Sequence, residues 1–137
     1  MATFELRSIG TVRSPLRDRA EAPKQGHEGA PEAWLELDAS VAEAARNLRV
    51  GDEIVVLTWL HRADRSVLEV HPRDDLRAPL TGVFSTRSQD RPNPIGLHRV
   101  TILEIGAGPR LRVSGLEAFD GTPVLDLKAA LDPRRER

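Results

Sequence analysis

Two arginines, an asparagine and a glycine crowd around two prolines in the stretch Gly82-Val83-Phe84-Ser85-Thr86-Arg87-Ser88-Gln89-Asp90-Arg91-Pro92-Asn93-Pro94-Ile95-Gly96-Leu97. Pro92 and Pro94 fix φ and hold Arg91 and Asn93 extended, so the loop is stiff. Neither proline carries an N–H, which predicts that nearby carbonyls lack local partners and are open to a ligand's donors. Arg87 and Arg91 set two planar cations beside this backbone, suited to a carboxylate or a phosphate. Gly96 lets another group approach the chain closely. The plainer alternative is a proline-stiffened hairpin with surface arginines. Because Asn-Pro is also an ordinary turn signal, the residues alone leave both readings open.

A second constellation lies near the C-terminus. In residues 124–128, strand alternation puts Val124, Asp126 and Lys128 on one face, with Asp126 and Lys128 about 6–7 Å apart. They can pair with each other or face a polar ligand. Other catalytic patterns are missing. There is no phosphate-binding Gly-x-x-x-x-Gly-Lys and no Gly-x-Ser-x-Gly elbow. Gly106-Ala107-Gly108-Pro109 reads as a hairpin turn, and Asp74-Asp75, between Arg73 and Arg77, as a salt-bridged loop. His27, His61, His71 and His98 lack helical metal spacing, so no metal is expected.

The elements that must position these residues are mostly short strands. Candidates are residues 4–13, 34–38, 53–61, 67–70, 82–87, 97–105, 110–116 and 124–128, separated by Gly, Pro, Asn and Asp. One helix is expected after Ser40, with Ser40 as N-cap, Glu43 closing a capping box and Gly51 ending the run. Residues 14–33 read as one long loop. Eight strands and one helix predict an all-β fold: a single-sheeted antiparallel β-barrel with one short helix and a long N-terminal loop, since open edges invite aggregation. One domain is expected over residues 1–131, with 132–137 a flexible tail. In residues 54–61, Ile54, Val56, Thr58 and Leu60 share one face, and Val55, Leu57, Trp59 and His61 share the other. A strand apolar on both sides predicts that one side meets a partner subunit or a ligand.

Composition narrows the function classes. The chain has 137 residues, no Cys, no Tyr, three Phe and two Trp. Lacking cysteine, it cannot build disulfides, Fe–S clusters, thiolate zinc sites or a Cys nucleophile. No apolar run approaches the roughly 20 residues that span a bilayer, and Met1-Ala2-Thr3-Phe4-Glu5 does not open a signal peptide, so a cytoplasmic protein with no membrane partner is expected. Its 20 basic and 21 acidic residues exclude a surface basic all over, and no DNA partner is expected. The balance is uneven: residues 28–53 carry −5, while residues 54–101 carry +2.

Residues 82–97 resemble the signature of the TsaA-like family, also called YaeB or VirR. The resemblance runs from Ile9-Gly10-Thr11-Val12-Arg13-Ser14-Pro15 to Asp120-Gly121-Thr122-Pro123-Val124-Leu125-Asp126-Leu127-Lys128. The family includes the tRNA N6-adenosine methyltransferase TrmO, which uses S-adenosylmethionine to methylate threonylcarbamoyladenosine at position 37, beside the anticodon. It implies a single-sheeted β-barrel, a homodimer, and cofactor bound near the dimer interface. Carried over by position, cofactor binding falls on Pro23, Lys24 and Gln25, on His61 and Arg62, on Arg87, on Leu97, and on Asp120, Gly121, Thr122 and Pro123. The cofactor's carboxylate suits Arg87 or Lys24, and Asp120-Gly121 is expected to be a tight turn exposing backbone amides.

The implied reaction needs an adenine N6 held in line about 3 Å from a sulfonium methyl. Asn93 and neighbouring carbonyls are expected to orient that N–H, with Asp126 as proton acceptor, Lys128 as its charge partner and Arg91 on substrate phosphate. The alternative for Asp126 and Lys128 is an ordinary ion pair. The family's last motif, Asp-Ile-Lys-Pro-Tyr, here reads Asp126-Leu127-Lys128-Ala129-Ala130, so an aromatic that could stack on a base is missing. Two alternatives to the tRNA substrate follow. One is a methyltransferase of this fold acting on another RNA or a small molecule; the other is a non-catalytic S-adenosylmethionine-binding dimer.

Overall fold

A computed structural model describes residues 1–15 and 32–131, so most of the expected loop and the tail at 132–137 lie outside the described residues. The strands are β1 (Gly10–Arg13), β2 (Ala33–Leu37), β3 (Glu53–Trp59), β4 (Glu69–Val70), β5 (Thr81–Gly82), β6 (Ile95–Gly106), β7 (Arg110–Ser114) and β8 (Pro123–Ala129). Six of them are antiparallel neighbours in the order β1-β2-β7-β6-β3-β8, and β8 pairs back to β1, closing the sheet into a barrel. β4 and β5 form a separate two-stranded sheet.

Strand alternation builds the core. Leu35 and Leu37 of β2, Ile54, Val56 and Thr58 of β3, Val100 and Ile102 of β6, Leu111 and Val113 of β7 and Val124 of β8 are buried inside. The outer face differs from one side to the other. On β1, β2 and β7 it is ionic: Arg13 and Glu36 pair at 2.7 Å, and Arg112 meets both Glu32 and Glu104. On β3 and the first half of β6 it is apolar, with Leu57 opposite Leu97 and Trp59 opposite Ile95. Ile95 and Leu97 are 44% and 49% exposed, so the apolar outer side expected for β3 continues onto its neighbour.

Three elements differ from expectation, the first being the strand expected at 4–13, which begins only at Gly10. Ala39–Ala45 is a 3-10 helix, and its N-cap is Asp38, whose carboxylate accepts the Ser40 N–H, so the Ser40–Glu43 capping box does not form. Arg46 N–H bonds back to Glu43 O, and Leu48 N–H to Ala45 O. A run this short cannot offset helix nucleation by propagation, and Val41, Ala45 and Leu48 are held by packing on the core instead. The expected strand at 82–87 stops at Gly82, and Val83–Ser85 turns in a 3-10 helix. By contrast, the hairpin turn at 106–109 joins β6 to β7 as expected, and Asp75 pairs with Arg77 at 3.1 Å.

Candidate functional site

β6 is longer than either neighbour. It pairs with β3 through Ile95–Thr101 and with β7 only through Thr101–Gly106, so among the described strands its edge at residues 95–100 has no partner on the β7 side. Leu60 N–H bonds to Pro94 O and Ile102 N–H to Asp52 O, so even-numbered residues of this segment direct their backbone groups toward β3. By the antiparallel alternation, the N–H and C=O of Leu97 face away from β3, into open space.

That space is a groove of about 1330 Å³, walled by residues 70–74, 84–91, 95–101 and 114–117. It exceeds the roughly 300–1,000 Å³ of an enclosed small-molecule pocket because it is a broad groove open to solvent. Arg87, Arg91, Asn93 and Leu97, all expected site residues, line it together. Arg87 is exposed, and no described residue pairs with its guanidinium. Phe84 stands 83% exposed on the same wall.

Arg91 has a different task from the one expected. Its guanidinium turns inward and donates to Val83 O at 3.0 Å, Thr86 O at 3.1 Å and Ser88 O at 2.9 Å. It curls the chain that carries Arg87 rather than offering itself to substrate phosphate. Because one cation gathers three carbonyls, the extended strand expected at 82–87 cannot form.

The Pro-Asn-Pro loop also departs from expectation. Arg65, which the sequence does not single out, donates from Nε to Pro92 O at 2.6 Å and from Nη2 to Asn93 Oδ1 at 2.9 Å, and stacks 5.1 Å from the Trp59 ring. Asn93 O accepts the Ile95 N–H, and Pro94 O the Leu60 N–H. All three loop carbonyls therefore have partners, and the carbonyls expected to be free for a ligand are not.

Other expected site residues lie apart from the groove wall. His61 is exposed, and Arg62 stacks over Phe119 at 4.4 Å, which joins the 61–62 turn to the 119–122 turn. In that turn Gly121 (φ 84°) gives its N–H to Val12 O, so of the Asp120-Gly121 amides expected to be exposed that of Gly121 is consumed internally, and the next N–H, of Thr122, goes to Phe119 O. Asp120 accepts the Ser14 N–H, and Thr122 is buried. Asp126 and Lys128 lie on the outer face of β8 with Nζ and Oδ2 3.8 Å apart. Asp126 also accepts the Leu127 N–H. The expected proton acceptor and charge partner thus form the ordinary ion-pair alternative, in the register row Asp126, Leu57, Leu97, about 10 Å from Leu97 by strand spacing. Pro23, Lys24 and Gln25 lie outside the described residues. Among the described residues no cluster of metal ligands occurs, and no helix is long and apolar enough to cross a membrane.

Beneath the groove, a polar pair sits inside the barrel. His98 Nε2 is 2.8 Å from Thr58 Oγ1, and the two residues flank Gly96. Burial pushes the His98 imidazole from its ordinary 6.5 down to about 4. The unfolded chain takes up this proton from about 6.5 downward while the folded chain resists it. The stability is therefore complete above 6.5 and is lost as the pH falls to about 4. At ~1.4 kcal/mol per unit the ceiling is roughly 3 kcal/mol, reduced because the ring also borders the groove. Urea midpoints measured across this window should fall for the unsubstituted chain and flatten in His98→Gln. An equal slope in both would assign the acid sensitivity elsewhere.

Comparison with known proteins brings these observations together. A family model described as the tRNA-methyltransferase O N-terminal domain matches residues 11–132. A probable S-adenosyl-L-methionine-binding protein of Methanothermobacter thermautotrophicus is 45% identical over 125 residues, which is 91% of this chain and 88% of that protein. An S-adenosyl-L-methionine-binding protein of Archaeoglobus fulgidus is 39% identical over 123 residues, 90% of this chain and 86% of its own length. The crystal structure of TrmO from Pseudomonas aeruginosa superposes with a TM-score of 0.75 at 32% identity, covering 98% of this chain and 58% of that one. The chain therefore spans little more than half the length of the solved TrmO chain.

Proposed function

The chain belongs to the tRNA-methyltransferase O N-terminal domain family, and from that premise we propose that it is an S-adenosylmethionine-dependent methyltransferase acting on N6 of threonylcarbamoyladenosine in tRNA. The observation that carries this reading is the broad groove along the unpaired edge of β6, which joins a cation that pairs with no described residue to an open backbone edge. S-adenosylmethionine supplies a methyl group activated on a sulfonium. Arg87 would hold its carboxylate, and the donor–acceptor pair of the Leu97 backbone suits an adenine edge. Lys24, with Pro23 and Gln25, belongs to the same proposed binding set by family resemblance, as do His61 and Arg62.

The exposed Phe84 ring supports a nucleotide in the remaining space, since a base stacks on any open aromatic face. The apolar outer face of β3 and β6 supports a homodimer, with a second copy covering Ile95, Leu97 and Trp59 beside the groove. A second reading keeps the cofactor and changes the acceptor to another RNA or a small molecule; Ala129-Ala130 in place of Pro-Tyr favours it. Methyl-labelled S-adenosylmethionine incubated with the protein and bulk tRNA separates them. Label should enter the RNA fraction, and label confined to small molecules would overturn the tRNA reading.

A further inference from the structure

The hydrogen bonds of residues 92–94 give every backbone carbonyl of the loop a partner. Pro92 O, Asn93 O and Pro94 O accept from Arg65 Nε, Ile95 N–H and Leu60 N–H. Neither proline has an N–H to give. What remains at the tip is the backbone N–H of Asn93 and its side-chain amide, and the orientation of the amide is fixed by chemistry. A guanidinium carries donors and no acceptor, so the atom 2.9 Å from Arg65 Nη2 must be Oδ1; rotating the amide would set donor against donor. The same guanidinium is held at Pro92 O and over the Trp59 ring, and its loop is tied down where Asp64 N–H meets Asp90 Oδ1. Nδ2 therefore turns away from Arg65, on an exposed residue that lines the groove.

We propose that Asn93 meets the groove's ligand as a hydrogen-bond donor through Nδ2, and that Arg65 is the positioning residue that sets this polarity. The inference rests on the methyltransferase reading and reverses the expected role of Asn93, which was to accept the N–H of the methyl acceptor. The ligand atom it fits is an acceptor, a carbonyl oxygen or an unprotonated ring nitrogen, carried by the cofactor or by the acceptor nucleotide.

The test compares Asn93→Asp, Asn93→Ala, Arg65→Ala and the Asn93→Ala/Arg65→Ala pair in the full chain. Without ligand, Asn93→Asp should melt no lower than the unsubstituted protein, because a carboxylate keeps and strengthens the bond to Arg65. Asn93→Asp and Asn93→Ala should both lose tenfold or more in function; alanine carries no charge, which separates loss of the donor from repulsion. A loss seen in calorimetric titration with S-adenosylmethionine puts the acceptor atom on the cofactor. A loss confined to kcat/KM for bulk tRNA puts it on the RNA. Arg65→Ala should lose less, about threefold, and should add nothing in the Asn93→Ala background. Asn93→Asp working within twofold of the unsubstituted chain, or melting below Asn93→Ala, would overturn the proposal. An unsubstituted chain that binds neither S-adenosylmethionine nor tRNA would overturn the methyltransferase reading and the ligand half of this inference, while the melting comparison would still decide the amide's polarity.

Discussion

Gly96→Ala is expected to destabilise the protein by about 3 kcal/mol, at the upper end of what overpacking a tight interior costs. A Cβ there would overlap the Thr58 hydroxyl, lie 2.7 Å from His98 Nε2 and stand 3.1 Å from Leu60 Cδ2. Thr58 is fully buried and His98 is bonded to it, so neither can swing aside without breaking that bond. The melting temperature should fall by on the order of 10 °C. Thr58→Ala combined with Gly96→Ala should recover part of the loss, since removing the hydroxyl opens the space. A double variant with additive losses would mean that the clash lies elsewhere. The glycine thus sits under the groove floor because the polar pair occupies the volume of its side chain.

The second large effect separates the two loop arginines. Arg87→Ala should lower affinity for S-adenosylmethionine at least tenfold and leave the melting temperature unchanged, since its guanidinium is exposed and no described residue pairs with it. Arg91→Ala should lower both. It takes the Arg91 donor from Thr86 O and Ser88 O, at about 2–3 kcal/mol for half-buried carbonyls, removes one of the three donors on Val83 O, and releases the turn that aims Arg87. Arg91→Lys should not restore it, because one ammonium on a flexible stem cannot reproduce the planar fork. Calorimetry and thermal melts on the same three variants decide the matter. If Arg91→Ala binds cofactor normally, the turn does not position Arg87.

Much of this architecture can be read in the sequence, and the parts that cannot share a cause. Period-two alternation marks β2, β3 and β7 to within two residues, because each buries one face and a slip would expose its whole apolar set. In β8 a register shift between Val124 and Asp126 buries Val124 and turns Asp126 and Lys128 outward, so the three do not share the one face expected of them. The groove-lining quartet Arg87, Arg91, Asn93 and Leu97 lies within one continuous motif, so local order brings it together. The failures arise where a particular side chain takes hydrogen bonds that the pattern of residue types does not reveal. Arg65 stands in an unremarkable Ala63-Asp64-Arg65-Ser66 turn, and only the fold reveals that it reaches residues 92 and 93. The strand expected at 82–87 is undone within its own motif by Arg91, and of the open amides expected at Asp120-Gly121 that of Gly121 is taken by Val12 of β1. In each case a specific hydrogen bond prevailed over the local pattern. His98 carried a signal, a histidine alternating inward on a strand, but nothing local shows that Thr58 is its partner.

The central claim is that this groove transfers a methyl group to a modified adenosine of tRNA. Its most direct measurement is nucleoside mass spectrometry of tRNA bearing threonylcarbamoyladenosine, after incubation with the protein and S-adenosylmethionine. The account predicts a new N6-methylated threonylcarbamoyladenosine that is absent without cofactor and strongly reduced with Arg87→Ala. Unchanged threonylcarbamoyladenosine, from a protein that calorimetry shows to be cofactor-bound, would contradict it.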